Sequence, residues 1–128
     1  MAKSSKEIGN PALYRTLFSE KLSKGDRKKL EIVEKAIELF GQQGVDRTSI
    51  DNIAKALKIS RSHVHYHFNN LDDIFEVALQ LLIRRGTEYT VKNMKKVSKP
   101  EKQLYTYISS YFDFFANNPQ YINVMLYF

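Results

Sequence analysis

The segment 48–68 constrains the fold most, because it holds two helix start signals only a few residues apart. The first, at residues 48–51, reads Thr-Ser-Ile-Asp and fits the capping box Ser/Thr-x-x-Asp/Glu. The second is Ser60, a residue type favoured at helix N-caps. The connection between the two helices is then only residues 58–60. This spacing predicts a short helix over 49–57, a tight turn and a second helix, which together form a helix-turn-helix.

The second helix of this pair would turn an unusual set of polar side chains outward. Val64 and Phe68 are four residues apart and predict its buried side. The side chains left outside are Arg61, Ser62, His63, His65 and Tyr66. Such a helix can enter the major groove of DNA, where an arginine can bind guanine in a bidentate manner. The alternative is a three-helix unit with a purely structural role.

We therefore expect two kinds of DNA contact from this unit. The base edges would be met by Arg61, Ser62, His63 and His65. Thr48, Ser49 and Tyr66 are suited to phosphate oxygens, which position a protein on DNA without specifying sequence.

Apolar residues at helical spacing predict helices on both sides of this unit. One short amphipathic helix is expected at about 11–22. Asp26 is the expected cap of the next helix, which ends near Gly44, a candidate for a left-handed position. Later helices are expected from Asn70 to about residue 97, over 101–117, and again from Pro119. No strand-like alternation is present, so the predicted class is all-α.

Composition excludes several functions and leaves others open. The chain has no cysteine, which excludes disulfides, zinc–thiolate sites and thiol catalysis. Its formal net charge of +6 suits nucleic acid, an anionic membrane or an acidic protein. Residues 31–75 nevertheless hold five basic and seven acidic residues, so charge alone does not select DNA. We find no nucleophile–base pair, no glycine-rich phosphate loop and no complete metal-ligand set, and so expect neither an enzyme nor a cofactor.

The motif residues resemble the N-terminal domain of the TetR family of transcriptional regulators. The resemblance covers residues 28–75 and rests on two runs: Ala36-x-x-Leu39–Phe40-x-x-x-Gly44-x-x-x-Thr48–Ser49-x-x-x-Ile53–Ala54, then Ile59–Ser60-x-x-x-Val64-x-Tyr66–His67–Phe68. It implies a dimeric, cytoplasmic repressor that binds a palindromic operator in double-stranded DNA and is released by a small-molecule effector. It also implies that Tyr66 and His67 lie near phosphates.

The sequence pattern and the resemblance together predict three segments. Residues 1–25 would be an extension with a short helix, and residues 26–72 the helix-turn-helix DNA-binding domain. Residues 73–128 would be an incomplete regulatory and dimerisation domain, made of the first helices of a larger helical domain. Because the chain ends within an apolar helix, we expect a truncated product, a fragment or an unusually short member whose exposed face is covered by a partner. The apolar end also favours self-association.

Four positions depart from the family pattern. Lys58 stands where a turn glycine is usual, and Ser62 replaces another small residue, which is a mild change. His65 stands where a phosphate-binding tyrosine is common, and Leu71 where a lysine usually begins the fourth helix. The missing lysine at Leu71 gives some support to an alternative function, a helical protein-interaction module on the same scaffold that has lost strong DNA binding.

All three histidines fall within five residues. His63 and His67 share a helix face, as paired metal ligands do, but metal sites need three or four ligands and no third is near in the sequence. Protonation near phosphate is the favoured interpretation. It predicts tighter operator binding below about pH 6.5 than at pH 8.

The segment 104–128 holds nine of the sixteen aromatic residues of the chain. Such a stripe is most often core or a dimer seam. It could instead line a pocket for an apolar ligand, and the candidate lining residues are Tyr107, Tyr111, Phe115 and Tyr121.

Overall fold

A computed structural model describes residues 22–127, which form six helices. The helices are α1 (Lys24–Gln43), α2 (Ile50–Leu57), α3 (Arg61–His67), α4 (Leu71–Met94), α5 (Pro100–Asn117) and α6 (Gln120–Tyr127). The described part contains no strand, and the predicted all-α class is confirmed. The helix predicted over 11–22 lies outside the described residues, except for Leu22, which is not helical.

Helix α1 begins earlier than the sequence pattern indicated. Its N-cap is Ser23, whose hydroxyl oxygen accepts a hydrogen bond from the backbone N–H of Asp26 at 3.1 Å. The prediction that Asp26 is the cap was therefore wrong. Asp26 lies in the first helical turn, where its carboxylate complements the helix dipole. At the other end, Gly44 has φ 88° and ψ 156°, so the positive φ is confirmed, although ψ lies outside the left-handed helical region.

Helix α2 is capped one residue later than predicted. Ser49 is the N-cap, and Asn52 closes the capping box by accepting from the backbone N–H of Ser49 at 2.9 Å. Thr48 is instead 5% exposed, and its hydroxyl donates to the carbonyl oxygen of Gly44 at 2.8 Å. That carbonyl lies just past the last turn of α1, where the helix offers it no hydrogen-bond donor, and the hydroxyl of Thr48 provides one. The prediction of a box that opens at Thr48 was wrong for this reason.

One hydrophobic core runs through all six helices. Its largest buried side chains include Phe40 of α1, Ile53 of α2, Val64 of α3 and Leu81 of α4. Helix α1 packs against α2, α3, α4 and α6, while α5 packs on α4. Buried residues on both sides of the predicted division at residue 72 belong to this core.

Two close contacts fix α6 against α1. A Cβ atom added to Gly41 would lie 2.9 Å from the Cα atom of Gln120, so the two backbones approach directly at this point. One turn further along α6, Asn123 donates from its side-chain amide to the carbonyl oxygen of Phe40 at 2.7 Å. These two contacts hold the first turn of α6 close to the C-terminal end of α1.

Arg85 joins three helices. From α4 its guanidinium donates to the hydroxyl oxygen of Tyr121 in α6 at 2.5 Å, and to the carboxylate of Glu34 in α1. Burial acts to lower the pKa of Arg85, but the hydrogen bonds and charges of its two partners outweigh burial and raise it. Burial raises the pKa of Tyr121, so its hydroxyl remains neutral. None of the described helices is long and apolar enough to cross a membrane.

Candidate nucleic-acid interface

Helices α2 and α3 form the predicted helix-turn-helix. Lys58 ends α2 in the left-handed conformation, with φ 58° and ψ 41°, and is the one non-glycine residue with positive φ in the described part. Ile59 is partly buried against the core. Ser60 then caps α3, accepting from the backbone N–H of His63 at 3.0 Å. A lysine thus occupies the turn position where the resemblance implies glycine, in the left-handed conformation that glycine adopts most easily.

Replacing Lys58 by glycine is expected to stabilise the chain modestly. The left-handed conformation costs a residue with a Cβ atom about 1–2 kcal/mol, and glycine removes that cost but gains entropy in the unfolded chain. We expect Lys58→Gly to raise the free energy of unfolding by about 0.5–1 kcal/mol in urea denaturation. Lys58→Ala removes the same side chain and keeps the strain. An equal gain from Lys58→Ala would contradict the assignment to the backbone.

The outward face of α3 is made of the predicted residues. The side chains of Arg61, Ser62, His63, His65 and Tyr66 are all exposed, and Tyr66 is 83% exposed. Val64 is fully buried and Phe68 is 4% exposed, so the helix is anchored by the side opposite this polar face.

Arg61 is held only by weak surface contacts. Its Nε atom lies 3.4 Å from Nε2 of His65, and 3.6 Å from a carboxylate oxygen of Asp51 in α2. Two-thirds of each side chain in the Arg61–Asp51 pair is exposed, and ion pairs of this kind contribute at most about 1 kcal/mol. The guanidinium can therefore exchange these partners for another acceptor at low cost.

The residues predicted to contact phosphate are not all brought together. Ser49 is exposed at the start of α2, and Tyr66 is exposed on α3. His67 is partly buried at the end of α3, with its ring 5.0 Å from the ring of Tyr66 in an edge-on arrangement. Thr48 is buried, and its oxygen accepts from the side-chain amide of Gln43 at 3.3 Å. The structure therefore places Thr48 behind this surface.

The surroundings of His67 disfavour the protonated form of its ring. Burial lowers its pKa, and so do the positive charges of His63, Lys29 and Lys28. The rings of His63 and His67 have centroids 5.7 Å apart. The described residues contain no group of three histidine, cysteine or acidic side chains that could hold a metal ion.

Sequence reasoning missed the two lysines near His67. Lys28 and Lys29 lie in α1, four residues before Ile32 and Val33, which are both fully buried. Because residues four apart share a helix face, this spacing is a signal that could have placed them beside the core.

A second candidate site is an apolar cavity of about 310 Å³ between α4, α5 and α6. It is lined by Leu79, Leu82, Ile83, Gly86, Thr87, Tyr111, Phe114, Phe115 and Met125. The lining has no charged side chain, and its hydroxyl groups are those of Thr87 and Tyr111. An uncharged, mainly apolar molecule would suit these walls.

The predicted pocket residues divide into two groups. Tyr111 and Phe115 line the cavity, and the ring of Tyr107 lies 5.2 Å from that of Tyr111. A hydrogen bond with Tyr107, with burial as a smaller cause, raises the pKa of Tyr111. Tyr121 lies apart from them, 1% exposed, with its ring stacked on Phe114 and its hydroxyl bound to Arg85. The structure thus gives Tyr121 a role in packing α6.

Comparisons with known proteins agree with this geometry. Residues 32–78 match the family described as "Bacterial regulatory proteins, tetR family". The chain is 28% identical over 63 residues to the biofilm operon icaADBC HTH-type negative transcriptional regulator IcaR of Staphylococcus epidermidis, an alignment that covers 49% of this chain and 34% of that protein. It is also 28% identical over 78 residues to IcaR of Staphylococcus aureus (strain Newman), covering 61% of this chain and 42% of that protein. The chain therefore spans less than half the length of these relatives.

The architecture is also similar to a solved structure, that of the fatty acid degradation regulator FadR from Bacillus halodurans. The TM-score is 0.71 with 20% sequence identity, over 83% of this chain and 55% of that chain. At this identity the likeness concerns the fold, and it extends past the helix-turn-helix into the later helices. The family match, the relatives and the helix-turn-helix geometry together make residues 32–78 of this chain similar to the TetR family of bacterial regulatory proteins.

Proposed function

We propose that the chain is a sequence-specific DNA-binding transcriptional regulator of the repressor type. The observation that carries this proposal is the exposed polar face of α3, presented by a capped helix-turn-helix. The relatives named IcaR are described as negative transcriptional regulators, which supports repression over activation.

The exposed side chains divide into two roles in this proposal. Arg61, Ser62, His63 and His65 meet base edges in the major groove. Ser49, Tyr66 and His67 meet phosphates on its borders. Thr48 acts indirectly, because its buried hydroxyl holds the turn that positions Ser49. Removal of the Thr48 hydroxyl would therefore loosen the N-cap of α2, and no direct phosphate contact would be lost.

The proposal includes a homodimer on a palindromic operator. Two copies of α3 would read half-sites about one helical turn of DNA, roughly 34 Å, apart. Helix α5 supports self-association because it is apolar on its outer side as well as its inner side: Leu104, Tyr105 and Phe112 are 64%, 75% and 73% exposed. Large apolar side chains exposed together in this way ordinarily mark a surface that is covered by further protein. Sedimentation equilibrium of the chain tests this part of the proposal.

The effector in this proposal is an uncharged small molecule in the apolar cavity of α4, α5 and α6. Helix α4 contributes to the cavity walls and packs directly on α1, so a shift of α4 would reach the DNA-binding unit. Arg85 provides a second connection, since it binds side chains of α1 and α6 at once.

A salt titration of DNA binding tests the proposed function. Two duplexes are compared in gel shifts, one of mixed sequence and one enriched from a random library with this chain. Phosphate contacts release counterions, so the affinity for both duplexes is expected to fall steeply with salt, and the enriched duplex is expected to bind more tightly at every salt concentration. Binding that ignores both salt and sequence would instead favour a protein-interaction module on the same scaffold.

The affinity for the enriched duplex is expected to rise as the pH falls from 8 to 6 at constant salt. Imidazoles near phosphates gain positive charge in this range. His67 contributes to this rise in affinity only in the lower part of the pH range, because burial and the charges of His63, Lys29 and Lys28 lower its pKa. The pH dependence of binding is expected to be weaker in His67→Gln. Equal affinity of the unmodified chain at both pH values would contradict the prediction.

The same lowered pKa has the opposite effect on stability. Below the ordinary histidine pKa of about 6.5, the unfolded chain binds a proton at this position before the folded chain does. The contribution of His67 to stability is therefore complete above that pH and is lost as the pH falls through the lowered value.

A further inference from the structure

The N-terminal part of α1 lies beside the C-terminal end of α3. Ile32 and Val33 of α1 are fully buried and share one hydrophobic core with Val64 and Phe68, which anchor α3. Helix α1 packs directly on α3. The two helices are therefore neighbours, and the charges of the two lysines that precede these core residues in α1 act on His67 at the end of α3.

Lys28 and Lys29 occupy that part of α1. Both are partly buried, and the side chain of Lys28 is 29% exposed. A half-buried lysine lays its methylene groups along apolar surface and keeps its ammonium group in water at the border. The charges of both lysines lower the pKa of His67 at the end of α3, in agreement with the packing of α1 on α3.

The two lysines differ in how they are paired. The ammonium group of Lys28 lies 3.0 Å from the carboxylate of Glu31 in a salt bridge. Lys29 has no ion pair or side-chain hydrogen bond with any residue from 22 to 127. Its positive charge is therefore not neutralised by a neighbour in the described part of the chain.

The C-terminal end of α3 has no permanent positive charge of its own. The basic residues of its last turn are His65 and His67, whose imidazoles carry no permanent charge. Arg61 lies at the opposite end of the helix. The fixed positive charge at this end of the surface thus comes from α1.

We propose that Lys29, with Lys28 beside it, binds a backbone phosphate next to the base pairs that α3 reads. The proposal rests on the DNA-binding function proposed above and adds residues outside the helix-turn-helix to it. A helix in the major groove, about 12 Å wide, has a phosphate backbone along each side. The first turns of α1 lie at one side of α3, where a lysine ammonium group meets that backbone. Such a contact adds affinity and fixes orientation without reading sequence.

The test compares Lys29→Gln with Lys95→Gln. Both remove one positive charge and keep a long polar side chain. Lys95 lies at the C-terminal end of α4, a helix of 24 residues that spans about 36 Å and starts just after α3. Each variant is titrated with salt on a mixed-sequence 30-base-pair duplex and on the enriched duplex.

Lys29→Gln is expected to reduce the slope of log affinity against log salt by about 0.9 for each chain bound, on both duplexes alike. Lys95→Gln is expected to keep the slope of the unmodified chain. Equal slopes for the two variants would overturn the proposal, even if the unmodified chain binds DNA strongly. Absence of salt-dependent binding by the unmodified chain would overturn the proposed function together with it.

A second measurement checks the geometry without DNA. The pKa of His67 is followed by proton NMR. It is expected to rise in Lys29→Gln, because the substitution removes one of the positive charges that lower it. The charges of His63 on α3 and Lys28 on α1 remain. The pKa of His67 is expected to be unchanged in Lys95→Gln. An unchanged value in Lys29→Gln would place the ammonium group away from α3 and overturn the proposal. Thermal unfolding of both variants confirms that they are folded.

Discussion

Gly41→Ala is expected to lower the free energy of unfolding by about 1–3 kcal/mol, the usual cost of overpacking a close contact. The new methyl carbon would lie 2.9 Å from the Cα atom of Gln120 and 3.1 Å from its Cβ atom. Carbon atoms that are not bonded prefer about 3.5–4.0 Å, so one helix must move. Helix α6 cannot yield easily, because Asn123 binds the carbonyl oxygen of Phe40 and Tyr121 binds Arg85.

The control for this prediction is Gly25→Ala in the same helix. A Cβ atom there would meet only the hydroxyl oxygen of Ser23 at 3.9 Å. Alanine has a higher helix propensity than glycine by about 1 kcal/mol, so Gly25→Ala is expected to be neutral or stabilising. Urea unfolding measures both variants. A Gly41→Ala variant as stable as Gly25→Ala would show that α1 and α6 are not packed as described.

Arg61→Ala is expected to weaken binding to the enriched duplex by about 1–3 kcal/mol, which is roughly 5- to 150-fold in affinity. The loss should be confined to that duplex, with little change on mixed sequence, because a bidentate arginine reads one base pair. The ion pair of Arg61 with Asp51 is loose and exposed, so Arg61 gives up little energy when it leaves Asp51 for DNA. Most of the energy of its contact with DNA therefore counts toward affinity. Gel shifts on the two duplexes measure both effects.

Arg61→Lys separates sequence readout from charge. Lysine keeps the positive charge but lacks the planar fork of the guanidinium. We expect Arg61→Lys to lose preference for the enriched duplex while the salt dependence of binding stays the same. If Arg61→Ala weakens both duplexes equally, Arg61 contacts phosphate, and the assignment of α3 as the sequence-reading helix loses its main residue.

The helices themselves could be predicted from the sequence because each depends on local information. The buried positions of α1 repeat at helical spacing, and the connection from Lys58 to Ser60 was predicted at its observed length. The caps were harder to predict, since two nearby residues at each helix start satisfied the same rule. Ser23 was overlooked in favour of Asp26, and Thr48 was preferred to Ser49.

The rest of the site depends on contacts between residues far apart in the chain. Thr48 is removed from the surface by the carbonyl oxygen of Gly44, which becomes available only where α1 ends. Tyr121 resembled a pocket residue by composition, but its partner Arg85 lies 36 residues earlier. The nearness of Lys29 to His67 requires α1 to be packed beside α3. The DNA contacts of α3 stay predictions that the binding experiments address.

The hydrophobic core that all six helices share limits how the helix-turn-helix of α2 and α3 could be transferred to another protein. The ring of Phe40 lies 6.1 Å from that of Phe75 in α4, and the backbone at Gly41 is covered by α6. A segment excised at residue 72 would lose both partners and expose apolar surface to water. Transfer of the proposed DNA specificity to a known regulator would therefore require grafting of the exposed side chains of α3 onto a complete host scaffold.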